Sequence, residues 1–272
     1  MVASHLTATA TAMQGTDRLL LFTGLSVLTV RAPSADVVYG GAVPPGFPPT
    51  YVGLVSGESG PDTPATCTST GHTGSAAGSY PITCAGAADS DYEIVYADGT
   101  LTVARAALDV RAPSVTVAYG TSVPMTFTPT YAGLVNGDTG SVTPATCTST
   151  GHTGSPVGTY PITCSGASDP NYAIGYAAGT LTISRLGTVL TPSSLLSSLL
   201  RPTARLTRVD SGEGIAAQTI VFRAGTTTIC SAVTSSVGVA RCSRAVALAT
   251  PLRAVYAGSP SYLPSSAPVP LA

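Results

Sequence analysis

The residues best suited to chemistry are a histidine and two cysteines that occur twice with the same spacing. They are Cys67, His72 and Cys84, and eighty residues later Cys147, His152 and Cys164. Imidazole and thiolate groups bind zinc, but a structural zinc site usually takes four ligands, with cysteines roughly two to four residues apart. Each copy offers three widely spaced groups, so a bond between the two cysteines is favoured over a metal site. Both histidines are then expected at exposed loop tips.

A third pair of cysteines lies further along the chain. Six cysteines that fall into three local pairs, without a C-x-x-C motif, indicate disulfides formed in an oxidising compartment. The predicted bridges are Cys67–Cys84, Cys147–Cys164 and Cys230–Cys242. The predicted location of the protein is therefore extracellular or at the cell surface.

A run of alternating carboxylates, Asp89, Asp91 and Glu93, offers oxygen ligands for calcium. Calcium needs about six to eight oxygens, and the second copy keeps fewer of these ligands. The corresponding residues are Asp169, Asn171 and Ala173. Asp side chains also accept hydrogen bonds from the backbone two residues further on, which makes a turn. An Asx turn before Tyr92 and Tyr172 is therefore the favoured interpretation.

The chain contains none of the common catalytic motifs. There is no G-x-S-x-G, no H-E-x-x-H and no phosphate-binding loop. The carboxylates are scattered, and the 3 histidines include the repeated pair His72 and His152. No Ser/His/Asp group can be assembled from this pattern. We therefore expect no enzymatic activity, no cofactor and no bound metal.

We expect strands to carry the repeated cysteines, because two kinds of residue alternate with period two on both sides of each loop. Residues 65–70 and 80–84 alternate in this way, and the glycine- and serine-rich residues 71–78 separate them. We expect an antiparallel hairpin in which small side chains face large ones. Its predicted pairs are Cys67 with Cys84, Ser69 with Ile82, and Gly71 with Tyr80.

The composition limits the classes of fold and partner. A chain of 272 residues is long enough for two or three small domains. Charged residues make up 9% and the net charge is −1, which gives no electrostatic basis for binding nucleic acid or an anionic membrane. The 29 glycines and 22 prolines favour short strands joined by turns. No apolar stretch reaches the roughly 18–20 residues of a membrane span.

Two interpretations are open for the N-terminal segment, residues 1–27. Leu19–Val30 has the length of a signal-peptide core and follows Arg18, but no A-x-A cleavage site follows it. Leu28–Ser34 also matches Leu108–Ser114, so cleavage there would remove the first strand of a repeat. The segment is therefore either a leader or the remnant of a preceding domain.

The rest of the chain divides into two repeats and a different third unit. Residues 28–103 align with 108–183 without a gap, which indicates tandem domains of one fold. The predicted domains are residues 28–107, 108–185 and 186–267, with a tail at 268–272. The linkers between them are short, which favours end-to-end stacking over a flexible connection.

Both copies share a set of short motifs from end to end. They include Tyr-Gly (39–40, 119–120), G-L-V-N-G-D (133–138), G-x-Y-P-I (158–162), N-Y-x-I (171–174) and G-T-L-T-I (179–183). Together they resemble the mostly-β, glycine-rich MBG repeat, which occurs in tandem in bacterial surface adhesins and other large exported proteins. The first copy departs from the pattern at Ser56, Glu58 and Asp91, and the cysteines are an addition to it.

The third unit has its own motifs: R-L-T-R (205–208), A-A-Q-T-I-V-F (216–222) and A-V-Y-A-G (254–258). They resemble a bacterial immunoglobulin-like repeat, which implies a β-sandwich without a catalytic role. Here a hairpin with Cys230 opposite Cys242 is expected to place Ala232 against Ala240. The predicted fold class is all-β, with small β-domains in a row, the last an immunoglobulin-like sandwich.

These resemblances imply a non-catalytic stalk of an exported bacterial cell-surface protein that spaces or presents an adhesive region. The expected partners are neighbouring domains of a longer chain, with no nucleic acid and no membrane span. Two alternatives remain open. In the first, the domains themselves bind an extracellular glycan or host protein, and an exposed aromatic cluster on a sheet face would favour this interpretation. In the second, the chain is the accessory region of a secreted enzyme.

Overall fold

The structure is a computed structural model that describes residues 24–55, 57–198, 200–247 and 251–272. Its regular elements are all strands, which confirms the predicted all-β class. No helix in these four ranges has the length and apolar character needed to cross a membrane. Residues 1–23 of the N-terminal segment, and with them the first part of the candidate leader Leu19–Val30, lie outside the described residues.

The first repeat forms two sheets that mix parallel and antiparallel strands. Its strands are β1 (Ser26–Arg31), β2 (Ala35–Val38), β3 (Thr50–Val52), β4 (Thr66–Ser69), β5 (Gly78–Ala85), β6 (Tyr92–Ala97) and β7 (Gly99–Ala104). One sheet has the order β3-β1-β6 and the other β2-β7-β5-β4. Alternation decides which side chains are buried, since Leu28 and Val30 lie in the core while Val27 and Arg31 are exposed.

The second repeat has the same strands in the same order. They are β8 (Ala106–Arg111), β9 (Val115–Ala118), β10 (Thr130–Ala132), β11 (Thr146–Ser149), β12 (Gly158–Ser165), β13 (Tyr172–Ala177) and β14 (Gly179–Ser184). Its sheets have the orders β10-β8-β13 and β11-β12-β14-β9. Only Arg105 lies between β7 and β8, so the closing strand of one repeat leads directly into the opening strand of the next.

The third part of the chain also forms two sheets. Its strands are β15 (Thr188–Pro192), β16 (Thr203–Arg208), β17 (Thr219–Ala224), β18 (Thr227–Val233), β19 (Val239–Arg241), β20 (Leu252–Tyr256) and β21 (Ser265–Val269). The sheet orders are β15-β16-β19 and β18-β17-β20-β21. The fully buried side chains of Leu206, Ile220 and Phe222 belong to the hydrophobic core of this part.

The hairpin expected between Cys230 and Cys242 is wrong. Strand β18 pairs with β17, so that Cys230 lies opposite Phe222, whereas β19 pairs with β16 and places Ala240 opposite Ala204. After β18 the chain turns through Ser235 and Gly238 and crosses to the other sheet. Alternating residues around a short loop look alike in a hairpin and in such a crossing, so the sequence pattern alone did not separate them.

Packing divides the protein into two compact units. The first contains the described residues up to Val110 together with Tyr131–Ala145 and Gly166–Gly175. The second contains Arg111–Thr130, Thr146–Ser165 and the described residues from Tyr176 to Ala272. The hydrophobic core of the first unit draws on both repeats, because Ala106, Leu108 and Tyr172 belong to the same buried cluster as Val30 and Tyr39. The opening sheet of the second repeat therefore shares buried contacts with the first repeat.

Candidate functional site

Two hairpins of the same design hold the repeated cysteines. Strands β4 and β5 pair with Cys67 opposite Cys84, and Ser69 lies opposite Ile82, which is the register predicted from the sequence. Strands β11 and β12 pair in the same register. The disulfides are Cys67–Cys84, Cys147–Cys164 and Cys230–Cys242. The first two lie toward the core, since all four of their cysteines are buried.

A glycine near the start of each hairpin loop packs directly under a tyrosine ring. A Cβ atom on Gly71 would lie 2.8 Å from Cγ of Tyr80, and one on Gly151 would lie 2.7 Å from Cγ of Tyr160. Such distances are too short for carbon atoms in contact, which approach to about 3.5–4.0 Å. The predicted pairing of Gly71 with Tyr80 thus corresponds to a contact that only glycine permits.

The two histidines lie at the exposed tips of these loops, as the sequence predicts. In each, Nδ1 is 3.0 Å from the carbonyl oxygen of the next residue, Thr73 or Thr153. The sulfur atoms nearby are bonded to each other and therefore provide no thiolate ligands. Across the described ranges, no group of three or more His, Cys, Asp or Glu side chains could hold a metal ion.

The alternating carboxylates form a turn. One carboxylate oxygen of Asp89 accepts a hydrogen bond from the amide of Asp91 at 2.8 Å, and the other accepts one from the amide of Asp62 at 3.1 Å. Asp169 does the same with the amides of Asn171 and Val142, at 2.9 and 3.1 Å. This is the Asx turn that the sequence favours. The second carboxylate oxygen adds a hydrogen bond to a loop 27 residues earlier in the chain.

Several hydrogen bonds surround Tyr172, where the two repeats meet. The rings of Tyr39 and Tyr172 pack edge to face, with their centroids 5.5 Å apart. Both hydroxyls donate hydrogen bonds to Oδ2 of Asp138, Tyr172 at 2.7 Å and Tyr39 at 3.2 Å. The hydroxyl of Tyr172 also accepts a hydrogen bond from the amide of Val135 at 2.9 Å. The amide of Ala77 donates to Oδ1 of Asn171 at 2.9 Å.

Gly40, which follows Tyr39, is required by this contact. Its φ is +84°, and a Cβ atom there would lie 2.6 Å from Cβ of Val135. A residue other than glycine would therefore be strained in its backbone and would collide with the side chain that covers it. Tyr39 and Gly40 together form a corner onto which the second repeat packs.

An equivalent corner lies in the second unit. The ring of Tyr119 packs edge to face against Tyr262, with the centroids 5.7 Å apart. Gly120 has a φ of +77°, and a Cβ atom there would lie 2.7 Å from a guanidinium nitrogen of Arg208. The backbone adds hydrogen bonds from Leu186 to Ser261 at 3.0 Å and from Leu263 to Leu186 at 2.9 Å. The same Tyr-Gly pair thus packs against the third part of the chain.

Burial and ion pairing shift the pKa values of side chains at the two corners and at the equivalent position of the first repeat. Burial, aided by the hydrogen bond to Asp138 and opposed by the amide of Val135, raises the pKa of Tyr172 to about 12. Burial also raises the pKa of Tyr92, the corresponding residue of the first repeat. Beside Gly120, the hydrogen bond from Arg208 lowers the pKa of Asp210 to about 2.

We expect the stability of the first unit to fall as the pH rises from 10 to about 12. The folded protein keeps Tyr172 neutral over this range while the unfolded chain ionises, so unfolding gains free energy from deprotonation. Thermal unfolding followed at pH 9, 10, 11 and 12 measures this loss. In Tyr172→Phe the loss should shrink, whereas Tyr96→Phe, at an exposed position of β6 in the same unit, should keep it. Equal pH dependence in both variants would contradict the assignment to Tyr172.

Sequence comparison matches the two repeats to one known family. Residues 28–102 and 108–182 each match the MBG domain of the YGX type, and together they cover more than half of the chain. The chain belongs to the MBG domain family. Its Tyr-Gly pairs at 39–40 and 119–120 agree with the YGX label, and the predicted MBG resemblance is confirmed.

Comparison with curated proteins gives no match for this sequence. Among solved structures, the MBG chain has low similarity to the I9–I11 tandem of titin, with 10% identity and a TM-score of 0.25 over 90% of this chain and 98% of that one. The Bacillus anthracis TIE protein has 7% identity and a TM-score of 0.19 over 90% and 48% of the two chains. At such TM-scores neither similarity informs the function.

Sequence reasoning missed the corner residues Tyr39, Asp138 and Tyr172 as a site. Each belongs to a motif noted within its own repeat, but the contact joins residues of different repeats. The signal available in the sequence was a glycine that directly follows a tyrosine after a short strand, once in each MBG repeat. These glycines, Gly40 and Gly120, both have a positive φ.

Proposed function

We propose that the chain is a structural spacer of an exported bacterial cell-surface protein, which holds an adhesive or catalytic region at a distance from the cell. Tandem MBG domains support this proposal, because the family occurs in large exported surface proteins. The three disulfides support an oxidising location outside the cytoplasm. The role proposed for the chain is structural, with no catalysis of its own.

The observation that carries the spacer proposal is the first junction between MBG repeats. A single residue, Arg105, separates β7 from β8, and side chains of both repeats share one buried cluster. A flexible tether would instead be a longer segment rich in glycine and serine. A junction with one linking residue and a packed contact resists bending, and resistance to bending is the property that a spacer needs.

We further propose that residues 186–267 form a bacterial immunoglobulin-like domain. Sheets of three and four strands are the arrangement of a small immunoglobulin-type sandwich. The disulfide Cys230–Cys242 supports this proposal, because it links a strand of one sheet to the end of a strand in the other. Such a domain would follow the two MBG repeats in the chain without adding a chemical activity.

The spacer proposal predicts a narrow distribution of distances across the first junction. Spin labels at Ser79→Cys and Ala173→Cys, both exposed positions of the first unit, report this distance by pulsed electron paramagnetic resonance. The distribution should be as narrow as that of a label pair within the first repeat, and an insertion of Gly-Ser-Gly-Ser-Gly after Arg105 should broaden it. A distribution equally broad without the insertion would refute a stiff junction.

Surface exposure is a separate expectation. Antibodies raised against residues 24–272 should label intact cells of the organism that makes the protein. An antibody against a cytoplasmic protein serves as the control, since it should label only permeabilised cells. Labelling by both antibodies only after permeabilisation would overturn the proposed location and leave the stiffness of the junction unaffected.

A further inference from the structure

Each Tyr-Gly corner in this protein is covered by the part of the chain that follows it. Tyr39-Gly40 packs under Val135 and Tyr172, and Tyr119-Gly120 packs under Arg208 and Tyr262. In both contacts a second tyrosine ring packs edge to face with the corner tyrosine, and another side chain covers the glycine. In this chain the corner therefore packs against two chemically different partners.

On the second repeat, the receiving surface includes the side chains of Asp138 and Tyr172 and the backbone amide of Val135, which are joined by hydrogen bonds. The amide of Val135 donates to the hydroxyl of Tyr172, and this hydroxyl donates to Asp138 at 2.7 Å. The carboxylate of Asp138 then accepts a second hydrogen bond from the incoming Tyr39. We call the set Val135, Asp138, Asn171 and Tyr172 the receiving face of this repeat.

The first repeat carries the same receiving face, eighty residues earlier. It consists of Val55, Glu58, Asp91 and Tyr92. The amide of Val55 donates to the hydroxyl of Tyr92 at 2.8 Å, and this hydroxyl donates to the carboxylate of Glu58. Asp91 stands where Asn171 accepts the amide of Ala77, and its carboxylate oxygen can accept a backbone amide in the same way.

One interaction of the occupied face is missing from this second set. Within the described part of the chain, Glu58 accepts a hydrogen bond from Tyr92 and from no residue of another repeat. Its side chain is exposed, whereas Asp138 is half-buried beneath Tyr39. A charged oxygen is thus available at the position where the second repeat receives a tyrosine hydroxyl.

We propose that Val55, Glu58, Asp91 and Tyr92 form a docking site for the Tyr-Gly corner of another MBG repeat of the YGX type. The tyrosine hydroxyl would donate to Glu58, and its glycine would lie under Val55. The ring of Tyr92 is already buried, so its part in the site is to hold Glu58 in place through its hydroxyl. A second copy of this chain is not the occupant. Its two Tyr-Gly pairs, at 39–40 and 119–120, are already covered, and the sequence contains no third pair. This inference does not depend on the spacer proposal.

The test supplies such a corner to the full chain. A copy of residues 108–183, followed by a copy of residues 104–107, is inserted between residues 27 and 28, which reproduces the spacing of the first junction. Hydrogen–deuterium exchange is measured on peptides that contain Val55 and Glu58, or Asp91 and Tyr92. These peptides occur once in the extended chain, so their exchange reports the receiving face of the first repeat alone.

We expect exchange of these amides to slow by about tenfold, the ratio for a charged hydrogen bond of about 1.4 kcal/mol. Tyr119→Ala made only in the inserted copy should abolish this protection. His152→Ala in the same copy, at an exposed loop tip, should leave it unchanged. Two outcomes would overturn the proposal. In one, the inserted copy is itself protected from exchange, which shows that it folds, but the Val55 and Tyr92 peptides exchange as before. In the other, the protection of these peptides persists in the Tyr119→Ala variant.

Discussion

Joint replacement of Cys147 and Cys164 by alanine should lower the free energy of unfolding by about 3 kcal/mol. The disulfide closes a loop with a sequence separation of 17, and its removal returns that loop's conformational entropy to the unfolded chain. Both sulfurs are also buried, so their packing contacts are lost as well. Calorimetry without reductant should show a fall in Tm of about 10 °C for the transition that contains β11 and β12.

The matched control is the neighbouring pair on the same two strands. Thr148 lies opposite Thr163, and both side chains are exposed. Their joint replacement by alanine should change stability by less than about 1 kcal/mol, as expected for a cross-strand pair on a solvated face. A loss from the cysteine variant no larger than that from the threonine variant would show that the disulfide has little effect on stability.

The hairpin register could be predicted because it depends on local sequence. Residues on each side of the loop alternate with period two, and a disulfide fixes which pair faces which. The placement of small side chains opposite large ones then determines which residues share a face of the hairpin, as with Gly71 under Tyr80. The same local argument failed for Cys230 and Cys242, because there the chain leaves one sheet and joins the other after a turn that the sequence does not distinguish from a hairpin.

Contacts between repeats were beyond this local reasoning. The glycine that follows Tyr39 indicates an unusual turn, but it does not indicate that the ring of Tyr39 lies against Tyr172 and its hydroxyl against Asp138. The repeat pattern shows which positions are shared by the two copies, but it does not show which shared positions face another copy. A tyrosine whose hydroxyl pairs with a carboxylate also looks, in sequence, like an ordinary half-buried strand residue.

The other long-range feature that the motifs did not explain is the glycine of G-T-L-T, where β7 and β14 begin. A Cβ atom on Gly99 would lie 2.0 Å from the carbonyl oxygen of Pro33, and one on Gly179 would lie 1.9 Å from that of Pro113. These neighbours are backbone atoms of the segment that joins the first two strands of each repeat. They cannot move aside by a change of rotamer.

Gly99→Ala should therefore destabilise the first unit by about 3 kcal/mol, near the upper end of the range for overpacking. The added methyl group would have to displace the backbone at Ala32 and Pro33, and with it the start of β2, which pairs with β7. Urea unfolding measures the change as a shift of the midpoint without a change of slope.

Gly78→Ala is the matched control, because Gly78 lies in the neighbouring strand β5, opposite Val103 of β7. A Cβ atom there would lie 4.0 Å from the ring of Tyr80, which is an ordinary contact. Alanine should leave stability unchanged or raise it by about 0.5 kcal/mol, since it restricts the unfolded chain. Two glycines of one sheet are thus expected to respond in opposite directions. Equal responses of Gly99 and Gly78 would show that the backbone at Pro33 yields to the methyl group.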